Sequence, residues 1–405
     1  MNVFFTRIIA VFTSIITMLT AIICPPEKIT PEFPETTQKV KTAFDEGEFE
    51  PGENDLIVAP YGDDNNSGTL EAPLKTFEKA KEILKSCNSD DTVTVWFREG
   101  TYFIENTVEF SSEDKDNVIY RSYPDEEVAF TGARAISGWS ETAINGVNAF
   151  VTDIEIRSDE DYFRSLFKDG ERLSRSNYPK TGLLKVSGEP LADESIAGSH
   201  APDFFTFALA FYADKNDVID FENPADVDVR IMHFWRDDLL PVHSVNTETG
   251  RIQVTKPSAM RIRVDDNYIF ENVKEALSLP GEWYLDRSEE KLYYIPQDGD
   301  TVENTVLYAG VNEQLLTLNG AENVSFQGIN FENTDWNHVD GTHTGKAFPV
   351  SHPLYDTIKY GADHPQAAFE VPAAIYISSS SDINTILFMY CSFIPLNSNL
   401  GFKSN

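Results

Sequence analysis

A spacing of apolar residues that occurs twice near the C-terminus constrains this chain more than anything else in it. Val324, Phe326, Ile329 and Phe331 occupy offsets 0, 2, 5 and 7, and Ile386, Phe388, Cys391 and Phe393 repeat those offsets. A period of two places side chains on one face of a strand, because successive residues of a pleated strand point to opposite sides. The three-residue step between the pairs, Phe326 to Ile329 and Phe388 to Cys391, carries the chain round a corner before it points inward again. Two such pairs per circuit, repeated, describe a coil whose apolar residues stack on those of the next coil. That is the sequence form of a β-solenoid. The predicted stack sets the four residues of the first copy on the four of the second. So few coils cannot bury their own faces, and Asn405 follows soon after the second copy, so the sequence reads as the front part of a longer solenoid.

The rest of the chain falls into segments of different rhythm. Pro25 to Asn54 is rich in Pro, Glu and Thr and has no apolar period, which predicts a disordered linker over 25–54. Order begins with a strand at Asp55–Pro60 and a polar turn at Tyr61–Thr69. A helix follows with Leu74, Phe77, Ala80 and Leu84 on one face. Short strands punctuated by glycine then run to about residue 138, so 55–138 is predicted as an N-terminal cap and opening coil. From Trp139 to Val306 the strands are longer and aromatic-rich, as in Val227–Ile231, Arg251–Val254 and Lys291–Ile295, which predicts an inserted β-rich domain over 139–306. The solenoid pattern returns over 307–405. Between its two copies lies a His-, Asp-, Gly- and Pro-rich excursion, Asn333 to Glu370. Long excursions from a rigid scaffold are where binding residues tend to sit.

Charge and address narrow the function. With 66 acidic against 32 basic residues the net charge is −34, spread along the chain. Such a surface repels nucleic acid and anionic lipid, so neither is an expected partner. It also disfavours a strongly anionic substrate unless calcium or a local basic cleft intervenes. Arg7 followed by the uncharged run Ile8–Cys24 reads as an export signal over 1–24. The run is short for a membrane span, which takes about 20 residues, and membrane contact is expected only if this segment stays uncleaved. The expected location is therefore secreted or cell-surface.

Three cysteines define no disulfide framework, and no Cys/His spacing suits zinc. Asp63, Asn65, Ser67 and Gly68 imitate the start of a calcium loop, but Leu74 stands where the bidentate Glu would be required. No metal and no cofactor is expected. Phosphate-binding glycine loops and the G-x-S-x-G elbow are missing from the sequence as well, which excludes the usual nucleotide enzymes and serine hydrolases.

Several segments resemble a known family. Val58–Pro73 with Thr76-Phe77 and the helix, and then Arg98-Glu-Gly-Thr-Tyr102, look like the N-terminal cap of right-handed parallel β-helix proteins. Leu166–Arg172 with Arg175–Pro179, and Leu279–Asp286 with Lys291–Pro296, resemble the inserted region of carbohydrate-active members, most nearly glycoside hydrolase family 141. The resemblance, over roughly Leu56 to Phe393, implies an incomplete right-handed parallel β-helix with an N-terminal capping helix and an inserted β-rich domain. It also implies a polysaccharide or oligosaccharide partner containing fucose or xylose. The family's catalytic acids lie on later coils with no counterpart here, so the resemblance carries over no catalytic residue, and an inactive fragment is one expectation.

The best local constellation is Asp335, Trp336 and His338, with Asp340 and His343, directly after the first apolar copy. An aromatic platform beside carboxylate and imidazole can stack a sugar and move a proton. The same residues also suit a polar loop with Trp336 packed on the outside of the solenoid. His233 and Trp235 fit an ordinary two-faced strand as well as a cleft wall. Glu282, Trp283 and Asp286 fit a turn anchor. Three functions stay open: a glycoside hydrolase, a polysaccharide lyase or epimerase on the same scaffold, and a non-catalytic glycan-binding surface protein.

Overall fold

The computed structural model describes residues 51–87, 91–156, 162–197, 206–234, 237–258, 260–335 and 373–389, with backbone alone for 196–197, 347–352, 355–359, 362–364 and 384–389. Its first part is built from short strands stacked in parallel. These are β1 (Leu56–Val58), β2 (Val93–Phe97), β3 (Gly100–Phe103), β4 (Val108–Ser111), β5 (Val118–Ser122) and β6 (Val128–Thr131). β1 pairs with β2 and β2 with β5, while β3 pairs with β6, all parallel and in register. Helix α1 (Phe77–Lys85) lies across one end of this stack. Thr76 caps it by accepting from Lys79 N, and Asp64 in turn accepts from the backbone of Lys75 and Thr76. Of the residues expected on its buried face, Phe77, Ala80 and Leu84 are on the helix and buried. Leu74 is also buried but precedes it, bridging to Val58. The Phe77 ring meets Phe97, Phe130 and Tyr120 at centroid distances of 5.6, 5.2 and 5.0 Å, so one aromatic side chain seals the stack's interior.

From Ala133 to Gly310 the pairing changes. β7 (Ala133–Ile136) lies antiparallel to β12 (Leu307–Gly310), which also pairs with β8 (Leu166–Lys168). β9 (Asp228–Met232) lies between β10 (Asp237–Asn246) and β11 (Asn267–Glu271), again antiparallel. Apart from the short parallel pair of Ser174–Arg175 with Glu282–Trp283, every described pairing between residues 133 and 310 is antiparallel or joins strands of this stretch antiparallel to their neighbours. Two apolar cores fill most of the stretch, one around Phe211, Tyr268 and Phe270, the other around Trp139, Trp283 and Tyr294. The change of pairing begins at Ala133–Ile136 and ends at Leu307–Gly310, which take each other as partners.

Parallel stacking resumes with β13 (Leu316–Asn319), β14 (Val324–Glu332), β16 (Ile375–Ser378) and β17 (Asn384–Met389); between them β15 (Ala362–His364) pairs antiparallel with β10. β13 lies between β4 and β16, and β14 continues both the β5 and the β6 ladders. The first apolar copy points inward as expected: Val324, Phe326, Ile329 and Phe331 are all buried. Val324 and Phe326 stand on Val118 and Tyr120, and Ile329 and Phe331 on Val128 and Phe130.

The predicted stack on the second copy needs correcting. Ile386 stands beside Gln327 and Phe388 beside Asn330, not beside Val324 and Phe326. Register passes from strand to strand through the preceding turn. Ser325 meets Asn384 at the same offset that pairs Leu316 with Ile375, and a further irregularity falls between Gln327 and Asn330. Equal spacing inside two strands does not set how they align. Cys391 and Phe393 lie outside the described residues.

Candidate functional site

Of the constellation Asp335, Trp336, His338, Asp340 and His343, Asp335 alone is among the described residues. It follows β14 and is buried, at the point where the excursion leaves the parallel stack. Its Oδ2 accepts from the backbone N–H of Arg164 (3.0 Å) and Ser165 (2.9 Å), and Oδ1 accepts from Ser165 Oγ at 2.6 Å. The carboxylate thus fastens the start of the excursion to the segment that leads into β8. Gly310 makes the approach possible: a Cβ there would lie 2.6 Å from Asp335 Cβ. Trp336, His338, Asp340 and His343 lie outside the described residues.

Behind Asp335 runs a charged network that links the short strands after β8 to β9, β10 and β11. Arg172 donates to Ser165 Oγ at 2.5 Å. Arg175 holds Asp228 at 2.9 Å and Glu271 at 3.3 Å, while Arg164 reaches Asp228 at 3.4 Å. Arg230 spans Glu271 (2.6 Å) and Asp237 (2.5 Å). Burial would raise the pKa of Asp228 and of Glu271, but the arginines outweigh it. Arg164 and Arg175 hold Asp228 below the usual carboxylate range, and Arg230 and Arg175 do the same for Glu271. These two acids are fixed anions that orient guanidinium groups; they are not proton donors.

The excursion touches this network again further along. β15 runs antiparallel to β10, with His364 opposite Asp237 and Asp363 opposite Asp238. Next to that edge His233 is enclosed, with Nε2 3.0 Å from Asp238 and Nδ1 3.5 Å from Asp266. Burial disfavours its charge, but the hydrogen bond to Asp238 and the negative charge of Asp238 and Asp266 prevail and raise its pKa to about 9. His233 is therefore an imidazolium clamp just beyond the end of β9; the strand stops at Met232 and Phe234 is exposed, so the expected two-faced strand does not reach His233, and Trp235 lies outside the described residues.

Glu282, Trp283 and Asp286 are structural. Glu282 accepts from Lys180 and from the backbone of Ser278 and Leu279, Trp283 is fully buried, and Asp286 accepts from Ser288 and Glu289. Among the described residues no group of three His, Cys, Asp or Glu side chains is placed to hold a metal ion. A cavity of about 420 Å³ beside α1 is lined by Glu78, Lys81, Glu82, Lys85 and Asn106–Glu109, without an aromatic platform. The arginine network was not singled out from the sequence. Its only signal there was position, since Arg172 and Arg175 both lie in segments that carry the family resemblance.

Comparison with known proteins adds the following. No family model matches the chain. It is 32% identical over 116 residues to the uncharacterized protein YwoF of Bacillus subtilis (strain 168), covering 26% of this chain and 23% of that protein. Among solved structures it is similar to a glycoside hydrolase at a TM-score of 0.62 and 18% identity, over 82% of this chain and 61% of that one. A complex of XylC with xylose matches at a TM-score of 0.31 and 14% identity, over 69% of this chain and 35% of that one, below the level that marks a shared fold. The chain spans under a quarter of YwoF and about three-fifths of the glycoside hydrolase. It is a predominantly β protein that shares the fold of a glycoside hydrolase.

Proposed function

We propose that this is an exported, glycan-active protein that binds its sugar where the 333–370 excursion is rooted on the arginine network. In this reading the parallel ladders are coils of a right-handed parallel β-helix capped by α1. Residues 139–306 form the inserted β-rich domain, and the glycan is a fucose- or xylose-containing polysaccharide. The observation that carries the reading is the likeness to the glycoside hydrolase over most of the chain. The place of binding is supported by Asp335, which fixes the start of the excursion beside β8, and by β15, which returns the excursion to β10 at Asp237 of the arginine network. Trp336, His338, Asp340 and His343 are the proposed sugar contacts on that excursion.

The test is incubation of the purified chain, from Pro25 on, with xylo- and fuco-oligosaccharides, following binding by calorimetry and products by chromatography. Binding with release of reducing ends supports a hydrolase. Binding without turnover supports a glycan-binding protein whose catalytic acids lie elsewhere. No binding to any of these sugars overturns the reading. A lyase is the second reading, favoured by Arg172, because elimination at a uronate needs a cation to neutralise its carboxylate. Release of unsaturated products, read by ultraviolet absorbance, would select it.

A further inference from the structure

Arg172 differs from the arginines around it. Arg175 and Arg230 each hold two carboxylates, whereas Arg172 donates one hydrogen bond, to the hydroxyl of Ser165, and no carboxylate lies within ion-pair distance of it among the described residues. A guanidinium carries five N–H donors in a fixed fork, so most of its capacity is unspent. The hydroxyl it meets is already committed to Asp335, which therefore neutralises Arg172 only through an intervening group. Burial pushes the Arg172 pKa down. Asp335 and Glu271 pull against that, and the neighbouring cations Arg230 and Arg175 add to it. A half-buried cation beside two others, with no acid of its own, is costly for a fold to retain unless something else completes it. Its position is also telling. Through Ser165 it touches the residue that roots the excursion, so it stands at the edge where the proposed sugar would lie.

We propose that Arg172 is an anion anchor of the glycan site and takes an oxyanion of the ligand, a uronic-acid carboxylate or a sulfate ester, through its free N–H fork. The inference rests on the glycan-binding reading and narrows it to acidic glycans. The planar fork matches a two-oxygen acceptor, and the pair gains strength from partial burial. It also answers the charge problem set by a surface of net charge −34, which repels an acidic polysaccharide at long range. Arg172, the one arginine of this network without a carboxylate partner among the described residues, supplies the short-range attraction that the rest of the surface withholds.

The experiment is calorimetric titration of the whole chain with three ligands. These are a xylo-oligosaccharide bearing one glucuronic acid branch, the same compound after carboxyl reduction, and a sulfated fuco-oligosaccharide. We expect the wild type to prefer the uronate over its reduced form by about tenfold or more, with a preference that weakens as salt rises. R172Q should weaken the uronate far more than the reduced compound and so remove the preference, and R172K should restore part of it. If the sulfated ligand is the one bound tightly and R172Q weakens it, the oxyanion is a sulfate. Equal affinity for uronate and reduced forms in the wild type, with no tight sulfate binding, overturns the anchor and leaves the glycan reading standing. So does a preference that persists in R172Q. Because the wild-type comparison stands without any variant, misfolding of R172Q would not shelter the proposal. Failure of all three ligands to bind would overturn both readings together.

Discussion

Phe331 shows how much a single inward side chain carries. It is buried, with its ring 5.5 Å from Phe130 and 6.1 Å from Phe326. Trimming it leaves a cavity between rigid strands that cannot close in, so Phe331→Ala should lower stability by about 3–5 kcal/mol in denaturant titration. His233 gives the pH signature. Its folded pKa, raised to about 9, lies above the ordinary histidine value, so its stabilisation is complete below about pH 6.5 and fades as pH rises through 9. The size of that loss should be on the order of 3 kcal/mol. A denaturation series across this window should show a fall that His233→Gln abolishes; a flat profile in the wild type would contradict the clamp. The inward role of Phe331 was legible because a period of two is a local property of the chain. The partners of His233 were not, since Asp238 and Asp266 meet it only once three strands are laid side by side.

At the level of elements, Asp335 joins two parts of the fold that are distant in sequence. Asp335→Ala would strand the buried N–H groups of Arg164 and Ser165, with an expected loss of about 2–3 kcal/mol. The same change should expose the root of the excursion to protease, so limited digestion should cut near residue 335 faster than in the wild type. Unchanged stability and cleavage would mean that the carboxylate is not the fastener. Gly310→Ala should act in the same direction by pushing Asp335 away. Sequence reasoning chose Asp335 for chemistry and missed its anchoring role, because its partners come from a hairpin more than a hundred residues earlier. Alignment of β14 with β17 was hidden for a related reason. The offsets inside each strand are written in the sequence, whereas register is inherited from β13 and β16.

Across the whole molecule the apolar residues collect in separate cores. The core of the parallel ladders holds Phe77, Tyr120, Phe326 and Phe331, while Phe211, Tyr268 and Phe270 belong to another. Two such cores should melt as distinct calorimetric transitions. Phe211→Ala should lower one of them and leave the other in place, whereas a single transition shifted as a whole by both Phe211→Ala and Phe331→Ala would show one cooperative unit. The sequence shows only the shift from short glycine-punctuated strands to longer aromatic ones. The arginine network within 139–306 was not legible, because ion pairs follow no period. The most direct measurement of the central claim is a crystal structure of the chain with a bound xylo- or fuco-oligosaccharide. We expect the sugar beside Asp335 and Arg172, within hydrogen-bond distance of Arg172. A sugar lodged instead in the cavity beside α1, with Arg172 untouched, would contradict the account.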